Sequence, residues 1–225
     1  MFLNLLSSSR KWAAAKLDNC LRIDRCALCL VETRGFSLCD ACLSDLPLWD
    51  SSTGLELQDL DRIFVGYRYE YPIDRLVRIT KYPGNISLAN TLGKLAREVC
   101  ELEDLVWGEK STFYPTPISR WRRFRRGFNQ SAVITSVLNT AYKRPVDEVS
   151  IYKRSFLPDQ SSLDKDNRRA NALGIFGFHP NFKAAEHAII VDDVITTGAT
   201  LSTIASGLRK HGSRRVDAVT FAAVP

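Results

Sequence analysis

Residues 189–201 read Ile-Ile-Val-Asp-Asp-Val-Ile-Thr-Thr-Gly-Ala-Thr-Leu, and no other stretch of this 225-residue chain restricts the fold so tightly. An apolar run of strand character delivers two adjacent carboxylates, Asp192 and Asp193. Thr196, Thr197, Gly198, Ala199 and Thr200 then form a turn of small residues ahead of an amphipathic stretch that begins at Leu201. Such a turn lets backbone N–H groups close around a phosphate, and the helix after it points its positive end at the same anion. The threonine hydroxyls add donors, while the carboxylates can accept from the 2′ and 3′ hydroxyls of a ribose. The layout is that of a ribose-5-phosphate site. A buried strand and a capped helix with solvated acids is the competing reading. It is disfavoured because paired acids at a buried strand end are costly unless a ligand or cation uses them.

A net charge of +6 favours an anionic partner, whether a phosphate-rich small molecule, a nucleic acid or a membrane surface. Charge alone does not choose among them. No stretch approaches the roughly 20 apolar residues needed to span a bilayer. The opening Met1 to Leu6 is short for a signal-peptide core, and its nearest basic residues follow it, so a cytoplasmic protein is expected. Residues 1–19 read as an amphipathic helix carrying Phe2, Leu5, Leu6 and Trp12 on one face.

Five of the six cysteines fall within the first 42 residues, four of them as Cys26-x-x-Cys29 and Cys39-x-x-Cys42. Two such knuckles supply four thiolates for one tetrahedral zinc ion. A disulfide framework would need an oxidising compartment, and a redox pair would need only two cysteines. With four protein ligands no coordination position stays open for water, so the expected zinc is structural. Whether the module also grips nucleic acid or only braces its neighbour stays open. Cys20 and Cys100 read as thiols outside the pattern.

The expected organisation is an N-terminal helix and zinc module over 1–50 and an α/β domain over 51–225. Strands are expected at 63–69, 113–118, 188–191 and 216–224, with a shorter one at 146–149. Helices are expected at 73–79, 88–102, 131–142 and 201–210, with a loop at 81–85. Alternating strands and helices imply a parallel sheet flanked by helices. The segment 154–169 is too polar for a core element. His179, His187 and His211 are scattered and are assigned no role.

Between Pro117 and Asn129 the chain packs five arginines and three aromatics without an acid, read here as a loop after a strand. Arg120, Arg122, Arg123, Arg125 and Arg126 can hold phosphates bidentately, and Trp121, Phe124 and Phe128 offer faces for bases. Such a run repels itself without an anionic partner, so single-stranded nucleic acid is the expected occupant.

The 189–201 run resembles the phosphoribosyl-pyrophosphate (PRPP) motif of type I phosphoribosyltransferases. With Pro115-x-Pro117, Arg120-x-Arg122, Arg126-Gly127-Phe128-Asn129-Gln130, the Lys81-Tyr82-x-Gly84 loop, Arg154 to Asn171 and the four cysteines, the chain resembles the ComF family. Thr116 stands where a valine is commoner in that family, and Trp121 and Phe124 are bulkier than usual. The resemblance implies a type I phosphoribosyltransferase-like fold behind a zinc finger, and a role in natural transformation handling single-stranded DNA. It implies that Asp192 and Asp193 hold the ribose as it gains oxocarbenium character, while 196–200 cradles the 5′-phosphate. Magnesium would ride mainly on pyrophosphate and ribose oxygens. The segment after Ile118 falls where that fold binds pyrophosphate, and 154–169 where it has its mobile catalytic loop. Three roles remain: phosphoribosyl transfer to an unidentified acceptor, PRPP sensing combined with DNA handling, and coupling of a competence helicase to the incoming strand.

Overall fold

The computed structural model describes residues 23–34, 37–50, 54–103, 105–154 and 174–225. The helix expected at 1–19, Cys20 and most of 154–169 lie outside the described residues. Two compact units divide the chain, residues 1–46 and 47–225.

In the first unit, β1 (Ile23–Arg25) and β2 (Glu32–Arg34) pair antiparallel, and α1 (Asp40–Ser44) follows Cys39. The first knuckle turns between the two strands. Leu30 N–H donates to the Cys26 carbonyl at 2.9 Å with Leu30 in the left-handed region at φ 67°, and Cys26 N–H donates to Val31 O at 2.8 Å.

The second unit is an α/β layer built on a parallel sheet. Its chain order is β3 (Arg62–Arg68), α2 (Ile73–Thr80), α3 (Ile86–Leu102), β4 (Ser111–Pro115), α4 (Arg120–Arg126), α5 (Gln130–Tyr142), β5 (Ile151–Lys153), β6 (Phe176–Phe178), β7 (His187–Ile195), α6 (Ala199–Lys210) and β8 (Arg215–Ala223). The sheet runs β3-β8-β7-β4, all parallel, with Ile190 opposite Ala218 and Tyr114 opposite Ile190. Helices cover both faces, which is why β7 and β8 read as nearly unbroken apolar runs rather than alternating ones. One face buries Ile190, Ala188, Val216 and Ala218 against Leu201, Ile204 and Leu208 of α6. On the other side of the core, α3 and α5 approach closely enough that a Cβ at Gly93 would stand 2.8 Å from Val137 Cβ.

Two expectations are corrected. The arginine-rich segment is a helix, α4, rather than a loop: the Ser119 hydroxyl caps its first turn by accepting from Arg122 N–H at 3.3 Å, and Gly127 ends it at φ 84°. Those caps stabilise a short helix that charge repulsion alone would disfavour. The strand expected at 146–149 shrinks to a single bridge between Val146 and Phe113, because the Asp147 carboxylate accepts from Val149 and Ser150 N–H at 3.1 and 2.9 Å and turns the chain. The short antiparallel pair β5 and β6 was not anticipated. Among the described residues no helix is long and apolar enough to cross a membrane.

Candidate functional site

All four sheet strands point the same way, so their carboxyl ends share one edge, where open α/β sheets bind ligands. That edge carries Tyr69 after β3, Thr116 and Pro117 after β4, and Asp192 to Thr200 from β7 into α6. Gly198 caps α6 in the left-handed conformation at φ 72°, where a side chain would be strained and its Cβ would displace the Leu57 side chain, so glycine is favoured. Asp192 and residues 194–201 line a small cavity of about 30 Å³. Thr196, Thr197 and Ala199 are exposed beside it. The first N–H groups of α6 have no carbonyl partners within the helix, which suits them to an anion.

Asp192 is only 7 % exposed, and its Oδ1 accepts from Ser131 Oγ at 3.1 Å and from Asp193 N–H at 2.9 Å. Burial, then the adjacent Asp193 charge, hold its carboxyl well above the usual carboxylate range. A second buried aspartate shows the opposite state. Asp217 accepts from His187 Nε2 at 2.9 Å and from Arg215 Nη2 at 2.8 Å, and against the cost of burial these partners bring its pKa below the usual value. Asp217 lies at the amino end of the sheet, where Ser111 Oγ also bonds His187 Nδ1 at 3.0 Å. One buried acid is paired with a histidine and an arginine, and the other, at the ligand edge, has two neutral donors and no bonded cation. Strain of that kind collects at functional sites.

The linkage follows from the raised pKa. Stability involving Asp192 is fully present below the unfolded carboxyl pKa, near 3.9, and is lost as pH rises through the folded value. Asp192→Asn is therefore expected to raise Tm at neutral pH, by about 2–4 °C for each kcal/mol recovered. No gain is expected near pH 3. Differential scanning calorimetry at the two pH values checks this, and equal shifts at both would refute it.

Around the acid pair stand Arg126, singled out in the sequence, and Lys153, which the sequence did not reveal. Lys153, half-buried on β5, lies within electrostatic reach of Asp192 and Arg122; burial and Arg122 lower its pKa against the pull of Asp192. Its Nζ sits 5.6 Å from the Phe176 ring centre. Arg126 responds to Asp193 in the same way, with burial and Arg122 lowering its pKa.

The helical form of α4 sorts the arginines. Residues three apart share a face. Arg120 and Arg123 line a cavity of about 700 Å³ together with Asn129, Lys153 and Arg154, and the buried Asn129 Oδ1 there has no hydrogen-bond partner. Arg122, Arg125 and Arg126 line a different cleft with Trp121. Trp121 and Phe124 stack at 6.2 Å and are 65 % and 83 % exposed, whereas Phe128 is half-buried beyond the end of the helix. Ser119 and Gly127, at the two ends of the basic run, were the signals that could have revealed α4.

In the first unit the sulfurs of Cys26, Cys29, Cys39 and Cys42 all lie within 4.8 Å of one another, with Cys29 and Cys39 Sγ 3.6 Å apart. Four sulfurs at about 2.3 Å from a tetrahedral zinc would be about 3.8 Å apart, so the cluster could hold one metal ion such as zinc. Burial raises the Cys26 thiol, but N–H donors from Cys29, Cys39 and Leu28 outweigh it and bring the pKa down to about 6, which favours a thiolate.

A parallel sheet with an acid pair and a small-residue turn at its carboxyl edge defines a phosphoribosyltransferase-type α/β domain, here preceded by a four-cysteine module. Residues 151–225 match the family described as phosphoribosyl transferase domain. Over 200 residues the chain is 26% identical to competence protein F of Haemophilus influenzae, covering 85% of this chain and 86% of that protein. It is 28% identical over 203 residues to DNA utilization protein YhgH of Salmonella typhi, covering 87% and 82%. A solved structure, TT1426 of Thermus thermophilus, aligns with a TM-score of 0.34 and 14% identity over 61% of this chain and 83% of its own. Likeness to proteins named for competence and for DNA utilization over most of the chain, with the phosphoribosyl transferase domain match, supports assignment to the ComF family.

Proposed function

We propose that this protein handles incoming single-stranded DNA in natural transformation and carries a PRPP-binding site of phosphoribosyltransferase type. The observation that carries the reading is the junction at Arg126: the arginine-aromatic helix α4 adjoins the acid pair, with Arg126 in electrostatic reach of Asp193. Relatives named for competence and for DNA utilization support the DNA half, and the matched domain supports the PRPP half.

In this reading the N–H groups and hydroxyls of Thr196, Thr197, Gly198, Ala199 and Thr200 hold the 5′-phosphate. Asp193, half-buried beside the buried Asp192, accepts from the ribose hydroxyls and balances positive charge that develops on the ring. Arg120, Arg123 and Lys153 face the pyrophosphate side, where magnesium travels with the phosphate oxygens. A second reading, transfer of the phosphoribosyl group to an acceptor, is favoured by the 700 Å³ cavity, which leaves room for a further ligand beside Lys153. A helicase partner for the DNA half is part of the proposal that the family resemblance supplies.

Calorimetric titration with PRPP and magnesium, with and without short single-stranded DNA, tests the reading. Both ligands are expected to bind the parent. Replacing Arg122, Arg123, Arg125 and Arg126 by glutamine is expected to weaken DNA binding for all sequences and to flatten log affinity against log salt by about 0.7 per lost phosphate contact. An unchanged slope would place the DNA elsewhere on the chain.

A further inference from the structure

The cleft that receives three of the five α4 arginines has a second wall. Arg78, Lys81 and Tyr82 face Trp121, Arg122, Arg125 and Arg126 across a cavity of about 340 Å³, lined by five cations and two aromatics and by no acid. The Lys81-Tyr82 turn is built to stay where it is. Lys81 N–H donates to Arg78 O at 3.0 Å, Tyr82 N–H to Ile79 O at 3.2 Å, and Asn85 Nδ2 to Ile79 O at 3.0 Å, while Gly84 takes φ 83°. Tyr82 is thereby left 62 % exposed, opposite a Trp121 of similar exposure.

A buried side chain joins the walls. Gln130, 3 % exposed at the start of α5, accepts from Arg126 Nη1 at 2.8 Å and donates through Nε2 to Thr80 Oγ1, the residue before Lys81. The Thr80 hydroxyl in turn donates to Val77 O at 2.7 Å. One amide therefore sets the spacing between the end of α2 and the end of α4.

Resting on the DNA reading above, we infer that this cleft is a subsite for an unstacked nucleotide of a single strand, with Lys81 and Tyr82 forming its second wall. Arg78 is already paired with Asp74, and the other four cations call for phosphate, while two exposed aromatics call for flat apolar faces. A single-stranded nucleic acid presents both at every step. A duplex keeps its base faces stacked and would offer the cleft phosphates alone.

Fluorescence anisotropy with a labelled oligothymidylate, over a series of salt concentrations, tests the subsite. Tyr82→Ala is expected to weaken binding roughly 5- to 150-fold with little change in salt slope, the equivalent of one stacked base. Lys81→Gln is expected to reduce the slope by about 0.7, one phosphate contact on a single strand. Tyr82→Phe keeps the ring and is expected to bind like the parent, which separates stacking from misfolding. Lys183→Gln, exposed near the amino end of β7, serves as the charge-matched control and is expected to change neither quantity. If the parent itself fails to bind the oligonucleotide, the DNA reading falls. Parent binding that survives both Lys81→Gln and Tyr82→Ala unchanged overturns the second wall alone. Duplex of the same length competing equally well overturns the unstacked nucleotide.

Discussion

Cys39→Ser is expected to yield protein with little or no zinc, in which residues 23–46 are cleaved rapidly by protease while 47–225 survives. The first unit has a small apolar complement: Cys26, Leu38 and Leu46 are its buried hydrophobic residues among those described. So small a core cannot hold such a fold by itself, and structural zinc contributes about 10–16 kcal/mol in modules of this kind. Removing one of four thiolates removes much of that energy. The second unit has its own sheet and core and is not expected to follow. Zinc analysis of the purified protein, with limited proteolysis, checks both halves. Full occupancy in Cys39→Ser, or a parent without zinc, would overturn the metal assignment.

The double variant Asp192→Asn, Asp193→Asn is expected to lose PRPP affinity by roughly 100- to 10 000-fold while staying folded. Hydrogen bonds to a charged group contribute about 1.5–3 kcal/mol each, and two bonds to ribose hydroxyls are at stake. Because Asp192 is buried and Asp193 only half-buried, the larger share should fall on Asp193→Asn, whose side chain is the more accessible to a ligand. Calorimetry with PRPP and magnesium on each single variant and on the pair separates the shares. Parent-like affinity in the double variant would mean that 189–201 is not a ribose site.

Much of the second unit was legible because its central strands are buried on both faces. The apolar runs before Asp192 and around Val216–Phe221 have few alternatives, and the spacing of Leu88, Leu92, Leu95 and Ala96 on α3 matches their burial. The four cysteines were legible for a different reason, since ligand spacing survives without any core. What escaped was set by single local bonds or by distant partners. Composition made 120–126 look like a loop, and two caps decided otherwise. The Asp147 carboxylate ended a strand that its neighbours' β propensity suggested. Lys153 and Ser131 come beside Asp192 from 39 and 61 residues away in sequence, through strand order and helix packing that no local pattern encodes.

Gln130 and Ser131 are consecutive residues in the first turn of α5. Gln130 joins the two walls of the basic cleft, and Ser131 donates to Asp192. The contact to the basic cleft and the contact to the acid pair are thus a single peptide step apart, a short route for communication between them. Thermodynamic reciprocity makes any such communication symmetrical: whatever factor an anion at the β7 edge imposes on affinity in the cleft, a ligand in the cleft imposes on the anion. A strand seated in the cleft and a sugar phosphate seated at β7 would then read each other's concentration through one helical turn.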